Sequence, residues 1–395
     1  MASLPPSVPA THAAIAITAL GKPVEQVTVP TIPPSAGEVL VRVTHTSSTP
    51  VDLHRVAGGL RVPPEDGGKA FILGITVGGT VVAVGPGTAT GLRVGDRVFG
   101  FVQDGSDREA AFQEYATVPA WKLGRVPDRV DMHAAVAVPA NLVTAVHTVV
   151  ADLGLPLPWP VPGAEVAAAA ADDDDKEEEV VLVWGAASSV GMYVLQVLRH
   201  WGYRHVLAVA AGKHHETLRG LGARACFDYR EGDAAGAVAA YLDRVVRRSS
   251  SSRPGRPRLP YVVDCIGSRE GSLRPLTRIA EKGTRVAVML PVINVHAGKD
   301  RAAELEMDVN KALPGEWKDG VELRGVRTFL YHKNEFLRDH LQPEIVPALL
   351  EQGVIEPNKQ RVVEGKTLLE RAQKALDLLR DQAVSGEKLV WRVAD

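Results

Sequence analysis

The stretch Gly185-Ala186-Ala187-Ser188-Ser189-Val190-Gly191 follows directly on an apolar, β-branched run, Val180–Trp184, and the residues after it recur at helical spacing as Val194, Leu195 and Leu198. A turn placed between a buried strand and a helix presents unpaired backbone N–H groups and the positive end of the helix dipole. It can therefore take a pyrophosphate without a basic side chain. Gly185, Ala187, Ser188, Ser189, Val190 and Gly191 are on this ground candidate cofactor-binding residues. The text departs from G-x-G-x-x-G because Ser188 stands where a glycine is expected. A serine still lets the backbone approach a phosphate and adds a hydroxyl, although an ordinary tight strand-to-helix turn would carry the same residues.

About twenty residues after such glycines, NAD enzymes place an acidic residue that accepts from the ribose 2′-OH. Here that place is Ala210-Ala211-Gly212-Lys213. With no carboxylate to repel a 2′-phosphate and Lys213 to attract one, NADPH is the expected cofactor; a solvated lysine is the alternative.

The elements that must position these residues change character along the chain. From Ala13 to about Val138 the text is short alternating runs punctuated by Gly and Pro (Glu38–Val43, Gly79–Val84, Asp96–Phe101, Ala111–Val118), an all-β module. From Val180 strands and helices alternate. The strands are Val180–Trp184, His205–Ala210, Ala225–Tyr229, Tyr261–Asp264 and Arg285–Met289, the pattern of a doubly wound parallel sheet in an α/β protein. The remainder is mixed, with helices at Pro343–Glu351 and Leu368–Leu379 and a strand at Lys388–Val393. Pro156–Glu179, which contains Asp172–Asp175 and Glu177–Glu179, and Ser249–Arg258 are expected to be solvated loops.

The chain has 395 residues, 45% apolar, with a net charge of −2. That balance points away from nucleic acid and anionic membranes as partners, and no run is long and apolar enough to span a bilayer. Cys226 and Cys265 are the two cysteines. They cannot build a four-thiolate zinc site or a disulfide framework, so a reducing, cytoplasmic setting is expected, and the N-terminus lacks the basic region of a signal peptide. His12 and the pair His214-His215 are expected to be surface or capping residues.

Read together, the β-rich module, the glycine-flanked turn and the Gly95-Asp96-Arg97-Val98 sequence resemble the medium-chain dehydrogenase/reductase superfamily. Within it the chain is similar to the zinc-independent quinone reductase and enoyl reductase branch, especially the fungal trans-acting enoyl reductases that serve polyketide synthases. Ser48-Thr49-Pro50-Val51-Asp52 matches the branch's Asn-Pro-x-Asp segment, Phe112-Gln113-Glu114-Tyr115 its F-x-E-Y strand, and Gly386-Glu387-Lys388-Leu389-Val390 its G-K-x-V strand. The resemblance implies a GroES-like β-rich catalytic domain over 1–150, a low-complexity acidic insertion over 151–179, a Rossmann domain over 180–325 and a return to the catalytic domain over 326–395.

It also implies roles. Ser47–Asp52 has no cysteine and Gly74-Ile75-Thr76-Val77 replaces the His-Glu pair of zinc-dependent relatives, so no metal is expected. Lys213 and Tyr229 match the lysine and tyrosine that hold the 2′-phosphate. Pro50 and Thr144 match cofactor contacts, Thr144 also a catalytic place against the nicotinamide. Cys265 and Gly267, with Leu290 after the next strand, match the nicotinamide pocket, although the cysteines could equally be core residues. Asp52 and His54 are the remaining catalytic candidates; His54 stands where the fungal enzymes tend to carry a lysine near the substrate carbonyl, and a structural histidine is the alternative.

The implied activity is NADPH-dependent hydride transfer to an activated C=C bond, an enoyl thioester or enone in fungal polyketide metabolism. A quinone or alkenal oxidoreductase and a non-catalytic NADPH-binding protein are the alternatives. The substrate is small or carried on a protein, with a polyketide synthase as partner and Arg55, Arg61 and Lys69 as basic docking candidates. Relatives of these kinds are monomers or homodimers.

Overall fold

The computed structural model describes residues 4–58, 60, 62, 70–88, 91–103, 105–160, 179–246, 256–298 and 301–394. The acidic run of the insertion up to residue 178, the serine run of the second loop, Arg61 and Lys69 lie outside them.

The chain divides into two compact units, residues 1–143 with 295–304 and 329–395, and residues 144–294 with 305–328. The first boundary thus falls inside the helix Pro139–His147 instead of near residue 150, and a ten-residue excursion from the expected Rossmann region belongs to the first unit.

The first unit is β-rich. Its larger sheet runs Gln360–Val362, Lys388–Arg392, Glu38–Ser48, Thr76–Val84, Arg97–Phe101, Gly124–Arg125, and Tyr115–Pro119 also pairs with Glu38–Ser48. Thr11–Ile17 pairs with Glu25–Pro30 and Phe71–Ile72 in a smaller sheet. Val39, Val41 and Val43 alternate into a core that also holds Phe112 and Trp391, whose rings meet edge-on at 4.6 Å. The expected strand from Ala111 begins only at Tyr115, because the preceding amides bond elsewhere: Ala111 N to the Gly74 carbonyl and Phe112 N to the Leu73 carbonyl.

The second unit is a six-stranded, all-parallel sheet in the order Ala225–Phe227, His205–Val209, Val180–Trp184, Tyr261–Asp264, Arg285–Met289, Glu322–Val326. That is the doubly wound order, with the chain's first strand of the sheet at its middle and the crossing point beside it. All five residues of Val180–Trp184 are buried, as a strand covered on both faces requires.

The helix expected over Pro343–Glu351 is split. A helix Glu335–His340 passes through a π-helical turn, Leu341–Ile345, into Val346–Glu351. Pro343 lacks an N–H and cannot join an α-helical ladder, so the turn widens around it. The helical stretch Met132–Asp152 is long and apolar enough to span a bilayer by length and composition, which sequence reading passed over. It is largely buried in the protein, as a core helix is.

Candidate cofactor and catalytic sites

In the second unit the strand Val180–Trp184 ends at Gly185, whose φ of 76° lies in the left-handed region that glycine enters without strain. A Cβ there would stand 2.5 Å from the Ile266 side chain. The amides of Gly185 and Ala186 both donate to the Val209 carbonyl at 3.0 Å, which fastens the turn to the neighbouring strand. Ser188 caps the helix Ser189–His200: its hydroxyl accepts from Gly191 N at 3.1 Å. The serine that departs from the glycine motif is thus the cap.

Gly191 has a different task from the one expected. It is buried, and a Cβ on it would lie 2.7 Å from both Cα and O of Ala186, so it lets the helix pack on the strand end. Ala187, Ser188, Ser189 and Val190 form the half-exposed rim that a pyrophosphate would meet. Glycine where a Cβ would collide, a capped helix N-terminus and an open rim are the features a dinucleotide pyrophosphate needs, and the residues fit it.

Beyond the next strand, Lys213 lies exposed on a single 3-10 turn, Gly212–His214, and Tyr229 is 51% exposed after Ala225–Phe227. Trp184, Tyr229, Gly232, Ala234, Gly271 and Pro275 line a cleft of about 470 Å³ in this unit. Tyr229 therefore stands at the edge of a cavity and not merely on open surface.

The loop after Tyr261–Asp264 is built on one carboxylate. Asp264 is fully buried; its Oδ1 accepts from Ile266 N at 3.0 Å and Gly267 N at 3.2 Å, and its Oδ2 accepts from Ser272 Oγ at 2.7 Å. Burial raises its pKa to about 6 against the pull of these bonds. The Cys265 thiol, hydrogen-bonded with Ser188, is pushed up by burial and by the Asp264 charge, so it is a neutral packing group. Ile266, which with Cys265 and Gly267 follows the end of the strand Tyr261–Asp264 where the resemblance places the nicotinamide pocket, is 38% exposed over Gly185.

Leu290 is half-buried. It follows the end of the strand Arg285–Met289, with its Cδ1 against Gly325 of the neighbouring strand and part of its side chain on the core. Thr144 is half-buried; its hydroxyl accepts from Thr328 Oγ1 at 3.1 Å and its carbonyl accepts from Thr148 Oγ1 at 2.7 Å.

In the first unit, Pro50 opens the helix Pro50–Gly58 and is exposed, while Asp52 is wholly buried. Asp52 Oδ2 accepts from Thr49 N at 2.7 Å and Thr49 Oγ1 at 3.2 Å, and burial raises its pKa against the attraction of Lys388. Lys388 is itself 3% exposed, and burial lowers its pKa to about 8. This is a correction: Asp52 is not a group that reaches reactants but one that shapes the turn carrying Pro50 and His54, opposite a buried lysine that sequence reading assigned no role.

His54 is 8% exposed, and its Nδ1 has no hydrogen-bond partner among the described residues. Burial, and then the positive charge of His296, lower its pKa to about 4, so the imidazole is neutral at pH 7. His296 comes from the excursion 295–304 that packs with this unit. His12, expected at the surface, is instead buried, with Nδ1 2.7 Å from Thr31 Oγ1 and Nε2 3.1 Å from Gln113 Oε1.

Comparison with known proteins agrees with this layout. Residues 35–128 match the alcohol dehydrogenase GroES-like domain. Over nearly its whole length the chain is similar to members of the medium-chain dehydrogenase/reductase superfamily. A trans-enoyl reductase of Penicillium crustosum is 28% identical over 402 residues, 100% of each chain. The enoyl reductase component of the lovastatin nonaketide synthase of Aspergillus terreus is 26% identical over 359 residues, covering 90% of this chain and 89% of that one. A mycobacterial protein solved in complex with NADPH has the same fold, with a TM-score of 0.65, 23% identity and coverage of 96% and 99%. The chain reads with these relatives as an oxidoreductase, and its second unit has the build of a nicotinamide-cofactor domain.

Proposed function

We propose that the protein is an NADPH-dependent, zinc-independent enoyl reductase that reduces the C=C bond of an enoyl thioester in fungal polyketide metabolism, acting with a polyketide synthase. The observation that carries the reading is the capped Gly185–Gly191 turn followed, one strand on, by exposed Lys213 and Tyr229, with no carboxylate at the sequence position where an NAD enzyme has one and with the nearby Asp228 carboxylate turned to the Gly212 and Arg230 amides. The similarity to trans-enoyl reductases over the full chain supports the substrate class. Two unpaired cysteines support a reducing, cytoplasmic setting.

The residues of the rim 187–190 would hold the pyrophosphate, and Lys213 and Tyr229 the 2′-phosphate. When bound, NADPH supplies the hydride. As the β-carbon is reduced, negative charge gathers on the thioester oxygen, and an aligned donor stabilises it. In the catalytic unit His54 is suited to this, a neutral imidazole with Nδ1 unpaired. In the tautomer protonated at Nδ1 it would donate a hydrogen bond to that oxygen once substrate binding uncovers the atom, which is itself buried. Because the imidazole is neutral at pH 7 it is not a proton reservoir, and the α-carbon takes its proton from water.

The test is the initial rate of NADPH and NADH oxidation with a short enoyl thioester, an alkenal and a quinone as acceptors. Thioester turnover with NADPH far above NADH is expected. Turnover of the quinone alone would replace this reading by a quinone reductase, and NADPH binding with no turnover of any acceptor, including a carrier-bound thioester, by a non-catalytic binder.

A further inference from the structure

Two loops follow adjacent parallel strands of the second unit, and one carboxylate joins them. Asp228 Oδ2 accepts from Gly212 N at 2.6 Å, and its Oδ1 accepts from Arg230 N at 2.8 Å. A Cβ at Gly212 would lie 2.7 Å from Asp228 Oδ2, so a larger residue would push the carboxylate out of its present place. Both carboxylate oxygens are thereby turned to backbone amides.

The side chains around the latch are basic. Lys213 follows Gly212 directly, and Arg230 follows Tyr229 with its Cζ 5.6 Å over that ring. Neither cation makes an ion pair among the described residues. His214 feels both: after burial, Lys213, Arg230 and His215 are the causes that lower its pKa. The two loop ends therefore share one place, where Lys213 and Arg230 stand beside an Asp228 whose carboxylate is turned to backbone amides.

We propose that Arg230 is a specificity-determining residue that binds the cofactor's 2′-phosphate together with Lys213 and Tyr229, and that the Asp228 latch positions the two loops for it. The proposal rests on the NADPH reading given above. A phosphate monoester carries up to two negative charges and three acceptor oxygens, and a guanidinium offers planar paired donors that an ammonium does not. Held over the Tyr229 ring, the Arg230 guanidinium loses less side-chain freedom on meeting the ligand.

The experiment is calorimetric titration of the full chain with 2′,5′-ADP, which carries the phosphate, and with 5′-AMP, which lacks it. The wild type is expected to bind 2′,5′-ADP the more tightly. Arg230→Ala should weaken 2′,5′-ADP by about tenfold or more and leave 5′-AMP unchanged, with Arg230→Lys between the two. Asp228→Ala removes a negative charge, so charge alone would tighten 2′,5′-ADP binding; the latch requires the opposite, a selective loss. Unchanged 2′,5′-ADP affinity in Arg230→Ala, with Lys213→Ala weakened, would overturn the role of Arg230 while leaving the NADPH reading intact. Tighter binding by Asp228→Ala would overturn the latch. A wild type indifferent to the 2′-phosphate would overturn both the proposal and the reading beneath it.

Discussion

His54 is held neutral by its surroundings, with a pKa near 4 set first by burial and then by His296. Its contribution to turnover should accordingly be flat between pH 5 and pH 8. His54→Ala is expected to lower kcat/KM for an enoyl thioester by about a hundredfold, the scale of losing one donor to a developing oxyanion. A wild-type kcat/KM profile with a step near pH 6.5 that vanishes in His54→Ala would contradict the neutral imidazole. Asp264 is tuned in the other sense. Its folded pKa of about 6 lies above the unfolded 3.8, so its linked stability is fully present below the unfolded value and is lost as pH rises through about 6. Asp264→Asn should lose less stability than the wild type between pH 4 and pH 7, by about 3 kcal/mol at most, measured by denaturant unfolding at each pH. At this scale the sequence revealed residue types but not directions. Lys213 and the glycine-flanked turn could be read from spacing. The network of His12 with Gln113 could not, because its partners are 101 positions apart and only the fold brings them together.

The elements explain why small changes at the turn should matter. Gly191→Ala would drive a methyl into Ala186 backbone, which cannot swing aside as a flexible side chain can. A loss of about 1–3 kcal/mol in stability and a raised Kd for NADPH are expected, read by thermal unfolding and by fluorescence titration. In the β-rich unit the strand Lys388–Arg392 lies beside the segment that carries Asp52 and His54, with Leu389 opposite Ser48 and Trp391 Nε1 donating to Ser48 Oγ at 3.0 Å. Lys388→Met removes one of the two cations, Lys388 and Arg55, whose charge reaches the buried Asp52 and should lower stability, whereas Lys388→Met with Asp52→Asn should cost clearly less than the two changes summed. Additive losses in that cycle would show that the pair does not interact. The strand was legible from its apolar alternation. The partner of its lysine was not, since a charge in an apolar strand reads only as an anomaly until a buried carboxylate is found opposite it.

For the whole molecule, a ligand that binds only the folded state raises stability by mass action, so NADPH at about 100 times its Kd should add about 2.7 kcal/mol and NADH at the same concentration much less. Equal shifts of Tm with the two cofactors would contradict the 2′-phosphate reading. The fold class was legible because alternating strands and helices after Val180 leave few topologies open. The limits of the two units were not, because residues 295–304 fall with the first unit only once the chain is folded. The sheet of the first unit also sets an order of assembly on the ribosome. Glu38–Ser48 emerges early, but one of its neighbours, Lys388–Arg392, is made some 340 residues later. At about 5–20 residues per second that is a wait of roughly 17 to 70 s, during which the His45–Ser48 end of the strand lacks its neighbour on one edge, the Glu38–Arg42 end being paired by Tyr115–Pro119. The parallel sheet of the other unit has all its strands well before then, so newly made chains should depend on chaperones chiefly at their oldest segment.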